Sequence, residues 1–270
     1  MTAAMRIAET SVMIGLLLVA VACSGPAPTP PAPTSTRPLP KELLVGTSGD
    51  SPPYSTRRAG TIAGLEPDLA LEIGKVLDRP VRIVNVPWDG LFDALGDGKV
   101  DVVMAGVTVT PERERRFAFT EPYLQTGIVM LIRGADRKRF GSLRAICKRP
   151  HTVGVVAKST GEAYVHDRCS KIDPVVYVTA DDAVLAVASG RNDTVVHDAP
   201  VLAYLRAQQA VELDLVPLGI NDEKLAWMVR QNDTALLQAL NGALATLRQN
   251  GTLDRVLERW IPNLEQVRAH

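Results

Sequence analysis

Arg113, Asp198 and the stretch Ser159-Thr160-Gly161-Glu162 are residues whose types and settings could do chemistry together. Arg113 ends the turn Thr108-Val109-Thr110-Pro111-Glu112-Arg113, which follows the apolar run Val100 to Ala105. Its guanidinium offers a planar fork of donors matched to the two oxygens of a carboxylate, a geometry that lysine lacks. Read alone, it is one more exposed charge at an Arg-rich helix start, beside Arg115 and Arg116. Ser159 and Glu162 have the spacing of a capping box, and a helix start of that kind also presents free N–H groups to an anion. Asp198 follows the run Thr194 to His197; it suits a helix N-cap, and its charge suits an ammonium. A cation, oriented N–H groups and an anion are what a buried zwitterion requires, because unpaired charge taken out of water is prohibitive.

Other chemistries lack their residues. His151, His166, His197 and His270 do not cluster with acids or cysteines at metal-ligand spacing, so no metal is expected. Walker, G-x-S-x-G and H-E-x-x-H motifs are missing from the sequence, and no cofactor is expected. Thirty basic residues balance thirty acidic ones with no polybasic run, which makes nucleic acid an unexpected partner.

The elements that must hold these residues begin with an address. Arg6 leads into an uncharged stretch from Val12 to Ala22, too short for a membrane-spanning helix, which needs ~20 apolar residues. Small residues end it, the pattern of a secretory signal peptide over 1–22. Ala20-Val21-Ala22-Cys23 resembles a lipobox, which predicts a lipidated Cys23 anchored to the outer face of the cell membrane. Ala20 stands where leucine is usual and Glu9 dilutes the positive region, so a plain cleaved signal and a periplasmic protein are the alternative. Residues 23–40 read as a tether: seven prolines fall between Ser24 and Pro40, favouring extended polyproline conformation. In that compartment the remaining cysteines, Cys147 and Cys169, are expected to form one disulfide, against the alternative of two separate buried thiols.

Beyond the tether, short β-branched runs alternate with amphipathic helical runs, the pattern of parallel sheets covered by helices. Strands are expected at 43–48, 81–86, 100–105, 153–157, 175–178 and 194–197. Helices are expected from Glu66-Pro67, at 89–95, from Ser159, at 181–188, at 200–208 and from a cap at Asp233, with a last one through Trp260. Leu65, Leu69, Ile73 and Leu77 mark one buried face, and Leu236, Leu240, Leu244 and Leu247 another.

Six segments, in order from Lys41 to Pro262, then carry a family resemblance: VGTSGDSPPY, GLEPDLALEIG, WDGLFDALGDGKVDVVMAGVTVTPERERRFAFTEPY, VGVVAKSTGEAY, TVVHDAPVLAYL and NGALATLRQNGTLDRVLERW. The chain resembles the polar amino-acid-binding branch of the bacterial extracellular solute-binding proteins, which have the type 2 periplasmic-binding-protein fold. The resemblance implies an α/β architecture of two lobes, 41–124 with 231–270 and 125–230, each a sheet with flanking helices, joined by a two-strand hinge. Ligand would sit between facing strand ends. It also implies that Arg113 grips a ligand's α-carboxylate, helped by Gly106, Thr108 and Thr160, with Val156 and Gly161 beside them, and that Asp198 accepts the α-ammonium. Trp88 matches the family's aromatic wall, while Tyr54 is expected to pack behind the cleft.

Some positions depart from the family pattern. Ser51 replaces the opposing aromatic, so a two-sided clamp is in doubt. Ser48 replaces a common acid, which argues against lysine or arginine as ligand, and Lys158 either meets an acidic side chain or is a solvated lysine; a polar or acidic amino acid is the expected ligand. The function implied is that of a monomeric, non-enzymatic binding component of an ABC importer, delivering its ligand to permease subunits. An anchored sensor is the alternative. A cyclohexadienyl-dehydratase-like enzyme is a further one, disfavoured because Asp198 is committed to an ammonium and no other protonatable acid stands out.

Overall fold

The computed structural model describes residues 37–142, 147, 151–261 and 264. The expected signal peptide, Cys23 and the tether as far as residue 36 lie outside these residues. The remainder is two mixed sheets flanked by helices, with a small third sheet.

The first sheet orders its strands Val81–Asn85, Leu43–Thr47, Val102–Val103, Met228–Arg230 and Phe117–Phe119. Leu43–Thr47 runs parallel to both neighbours, whereas Met228–Arg230 is antiparallel to both of its own. Leu65, Leu69 and Ile73 of helix Leu65–Leu77 are buried as the four-residue spacing predicts, and Leu77 is half-buried. Helix Thr234–Gln249 buries Leu236, Leu240, Leu244 and Leu247 in the same core. Truncating Leu240, which is fully buried, to alanine would cost roughly 2–5 kcal/mol. Asp233 occupies that helix's N-cap but makes no capping bond; its carboxylate lies 2.6 Å from Arg230.

The second sheet orders Val175–Tyr177, Val153–Val156, Thr194–Asp198, Leu124–Arg133 and Leu213–Leu225. The first three are parallel, and the last two are long antiparallel strands. The chain passes from the first sheet to the second through Leu124 and returns through Leu225, and these two residues pair with each other. The returning strand is irregular: its register shifts between Pro217 and Ile220 and again between Ile220 and Glu223. Such bulges re-aim side chains. Cys147 and Cys169 form a disulfide. Among the described residues no helix is long and apolar enough to cross a membrane.

Residues 50–63, which the sequence marks only as turn-rich, make the third sheet from Asp50–Ser51, Ser55–Arg58 and Thr61–Ala63. The expected strand 100–105 shortens to Val102–Val103.

Candidate functional site

The strand ends of the two large sheets face one chamber. Its lining includes Ser51, Trp88, Gly106, Thr108 and Arg113 from the first half of the chain, and Val156, Thr160 and Asp198 from the second. Eight of the residues singled out from the sequence therefore come together. Ser48, Gly161 and Lys158 do not line it. Ser48 is buried just past the end of Leu43–Thr47. Gly161 lets the start of helix Thr160–Arg168 close on the backbone of Val196, which a Cβ there would strike. Lys158 lines an outer groove instead, with its ammonium 3.4 Å from the carbonyl oxygen of Asp89.

Arg113 is held from several sides. Its Nη1 donates to the Thr108 carbonyl at 2.8 Å and its Nη2 to the Lys158 carbonyl at 3.3 Å. The guanidinium carbon lies 5.7 Å from the centroid of Trp88 and 5.3 Å from that of Phe92, within cation–π range. Thr110 caps its short helix by accepting the Arg113 N–H, so backbone and side chain are both oriented. Both of its side-chain hydrogen bonds go to neutral carbonyls. Burial pulls its pKa below the usual arginine value, while Asp198 and Glu223 nearby oppose that shift.

Opposite it, Asp198 ends the strand Thr194–Asp198 and starts the helix Ala199–Arg206, yet its side chain makes no capping bond. The carboxylate, 5% exposed, is turned to His197, whose Nδ1 lies 3.1 Å from Oδ1. The capping box at Ser159 is half realised. Ser159 Oγ accepts the Glu162 N–H at 3.1 Å, but the Glu162 carboxylate takes the N–H of Lys158 at 2.6 Å instead of the cap's own.

Three residues alter the expected site. Tyr54 was expected behind the cleft but stands in its wall. Its ring fits against Gly106, which has a left-handed φ of 68° and where any Cβ would overlap the ring. Tyr54 thus supplies a second aromatic where Ser51 does not. Asp50, unremarked in the sequence, lines the chamber, and burial raises its pKa. Glu223, also missed, adjoins the chamber and accepts the Thr108 hydroxyl at 3.3 Å. Burial first and the charge of Asp198 second push its pKa to about 7. One signal was available: Glu223 stands two residues before the buried Leu225, on the same face of a strand-like run.

A two-sheet α/β protein whose facing strand ends enclose an arginine, a helix start and an uncapped aspartate has the makings of a receptor for a small zwitterion. The chain belongs to the bacterial extracellular solute-binding proteins, family 3, whose model matches residues 43–263. It is 29% identical over 229 residues to ABC transporter arginine-binding protein 1 of Escherichia coli strain K12, covering 82% of this chain and 91% of that protein. Among solved structures it resembles an ancestral amino acid-binding protein described as a precursor of cyclohexadienyl dehydratase, with a TM-score of 0.77, 33% identity and coverage of 82% and 96%. It also resembles an ancestral arginine-binding protein bound to arginine, with a TM-score of 0.76, 31% identity and coverage of 82% and 98%. The relatives are thus amino-acid-binding proteins.

Proposed function

We propose that this protein captures a free amino acid with a positively charged side chain and presents it to the permease of an ABC importer, held at the membrane by a lipidated Cys23. The lobes are residues 41–124 with the chain from 226 onward, and residues 125–225, turning about Leu124–Arg133 and Leu213–Leu225; the return falls a few residues before the expected 231 because Met228–Arg230 belongs to the first sheet. Ligand favours the closed arrangement because only there do both sets of lining residues reach it. Arg113 and the first N–H groups of helix Thr160–Arg168 receive the α-carboxylate. Asp198 receives the α-ammonium.

The observation that carries the charged side chain is the surplus of acid. Asp50 and Asp198 line the chamber and Glu223 adjoins it, while the basic side chains of the lining are Arg113 and His197, the latter 3.1 Å from Asp198. A zwitterion brings no net charge, so an acid left over in the wall favours a ligand with a further positive group. Lys158, on which the acidic preference rested, lies outside the chamber, and Asp50 restores an acid near the position that Ser48 left without one. The arginine-binding relatives point the same way.

Glu223 is the protonatable acid that a dehydratase would need, which the sequence did not reveal. The acid surplus nonetheless opposes a cyclic dicarboxylate, which would bring two more negative charges to a single arginine.

Thermal-shift titration of the soluble chain tests the proposal, using arginine, lysine, ornithine and histidine against glutamine, glutamate and dicarboxylates. A rise in Tm at the lowest concentrations for basic amino acids supports it. A rise for glutamate alone, or for no amino acid, overturns it.

A further inference from the structure

Glu66 is fully buried and lies outside the chamber lining, and among the described residues no cation pairs with it. Three donors converge on its carboxylate instead. Oε1 accepts the Gly106 N–H at 2.7 Å and the Tyr123 hydroxyl at 2.7 Å, and Oε2 accepts the Trp227 indole N–H at 3.0 Å. Their positions in the chain are telling. Tyr123 immediately precedes Leu124, where the outgoing crossing strand begins, and Trp227 stands two residues after Leu225, where the returning one ends. The two rings stack with centroids 5.7 Å apart. Gly106 leads into Thr108 on the loop that carries the Arg113 turn.

A carboxylate is the one side chain that offers only acceptors to all three donors; an amide must turn an NH2 toward one of them. A charge buried without a counter-ion is costly, so a leucine here would serve packing better. We infer that Glu66 is a positioning residue that ties both crossing strands to the Gly106–Thr108 loop, so that the hinge and the carboxylate-binding loop move as one piece. The role in binding rests on the function proposed above; the tie itself does not. Burial raises the Glu66 pKa to about 7, and the hydrogen bonds from Tyr123, Gly106 and Trp227 oppose that rise.

The experiment compares wild type, Glu66→Gln, Trp227→Phe, the double variant and Ile73→Val, which perturbs the buried face of the same helix without touching the three donors. Two quantities are read: the Kd for arginine, and hydrogen–deuterium exchange of the ligand-free proteins over 104–108, 122–126 and 225–229. In Glu66→Gln the glutamine can accept from Gly106 and Tyr123 only by aiming its NH2 at the indole N–H. Affinity should fall about tenfold, and exchange should rise in all three segments together. Removing the indole N–H in the double variant should recover most of both losses, whereas Ile73→Val should lower Tm and leave Kd and the three-segment pattern in place. Unchanged exchange in Glu66→Gln, no recovery in the double variant, or the same Kd loss in Ile73→Val would overturn the inference. If wild type binds no amino acid the proposed function fails, and the exchange measurement still decides whether Glu66 ties the three segments.

Discussion

Arg113 donates from Nη2 to the carbonyl oxygen of Lys158, 3.3 Å away, so the residue assigned to the ligand's carboxylate also links the two halves of the chain. Lys158 holds that carbonyl in place through a left-handed backbone, with φ at 58°.

Arg113→Ala should weaken binding of every amino acid at least ~100-fold, since a charge-assisted bidentate pair is lost and Asp198 then faces an unbalanced ligand. Arg113→Lys should restore little, because the ammonium lacks the fork and its stacking on Trp88 and Phe92. Calorimetric titration decides; an affinity unchanged in the alanine variant would remove Arg113 from the site.

Asp50→Asn should reduce the preference for arginine over glutamine about tenfold while leaving glutamine affinity nearly as it was. In the proposed function Arg113 and Asp198 take the α-groups, which leaves the Asp50 carboxylate for the side chain. Equal losses for both ligands would mean that Asp50 only supports the wall.

Gly106→Ala should lower both Tm and affinity. The added methyl enters the Tyr54 ring, and the left-handed φ of 68° is itself costly for alanine, by about 1 kcal/mol or more. Adding Tyr54→Ala should recover affinity in part by vacating that space. A neutral Gly106→Ala would show that the ring moves aside freely.

The two buried glutamates set a pH dependence whose sign is fixed. Glu66 and Glu223 each rise from 4.5 in the unfolded chain to about 7 when folded. The folded protein therefore binds more protons between those values, and stability from this source, full below 4.5, is lost as pH climbs through 7. Each carboxyl accounts for on the order of 3 kcal/mol between the limits. Tm of the ligand-free protein should be lower at pH 8 than at pH 5.5, and Glu66→Gln or Glu223→Gln should shrink the difference. A slope untouched by both substitutions would contradict the assignment.

Reduction of Cys147–Cys169, or Cys169→Ser, should cost about 3 kcal/mol on the chain-entropy model for a separation of 22 residues, read from denaturant midpoints.

Periodicity made the helices legible: the leucine stripe from 236 to 247 and the face from Leu65 to Ile73 are buried as their spacing demands. Strands of parallel sheets, apolar and bounded by turns, were also visible. The crossing strand Leu213–Leu225 was not, because Pro217, Gly219 and the charged run Asp222-Glu223-Lys224 interrupt its alternation, and with it Glu223 stayed hidden. Asp50 and Tyr54 escaped for a different reason. Their places depend on a three-stranded sheet of very short strands, Asp50–Ser51 and Thr61–Ala63 among them, for which no period can be counted. Arg113 and Asp198 could be named, since each follows a strand that the sequence displays, whereas the neutral carbonyls that hold Arg113 are backbone groups no side-chain pattern announces.

The strand order of the first sheet fixes when it can be finished. Met228–Arg230 lies between Val102–Val103 and Phe117–Phe119, although more than a hundred residues separate it from either in the chain. The second sheet draws all of its strands from one continuous stretch, 124 to 225. As the polypeptide emerges from its N-terminus, the second sheet can assemble by itself, while the first waits with a gap between Val102–Val103 and Phe117–Phe119 until residues 228–230 arrive. A chain cut short after Leu225 would keep the strands of the second sheet and leave the first one divided.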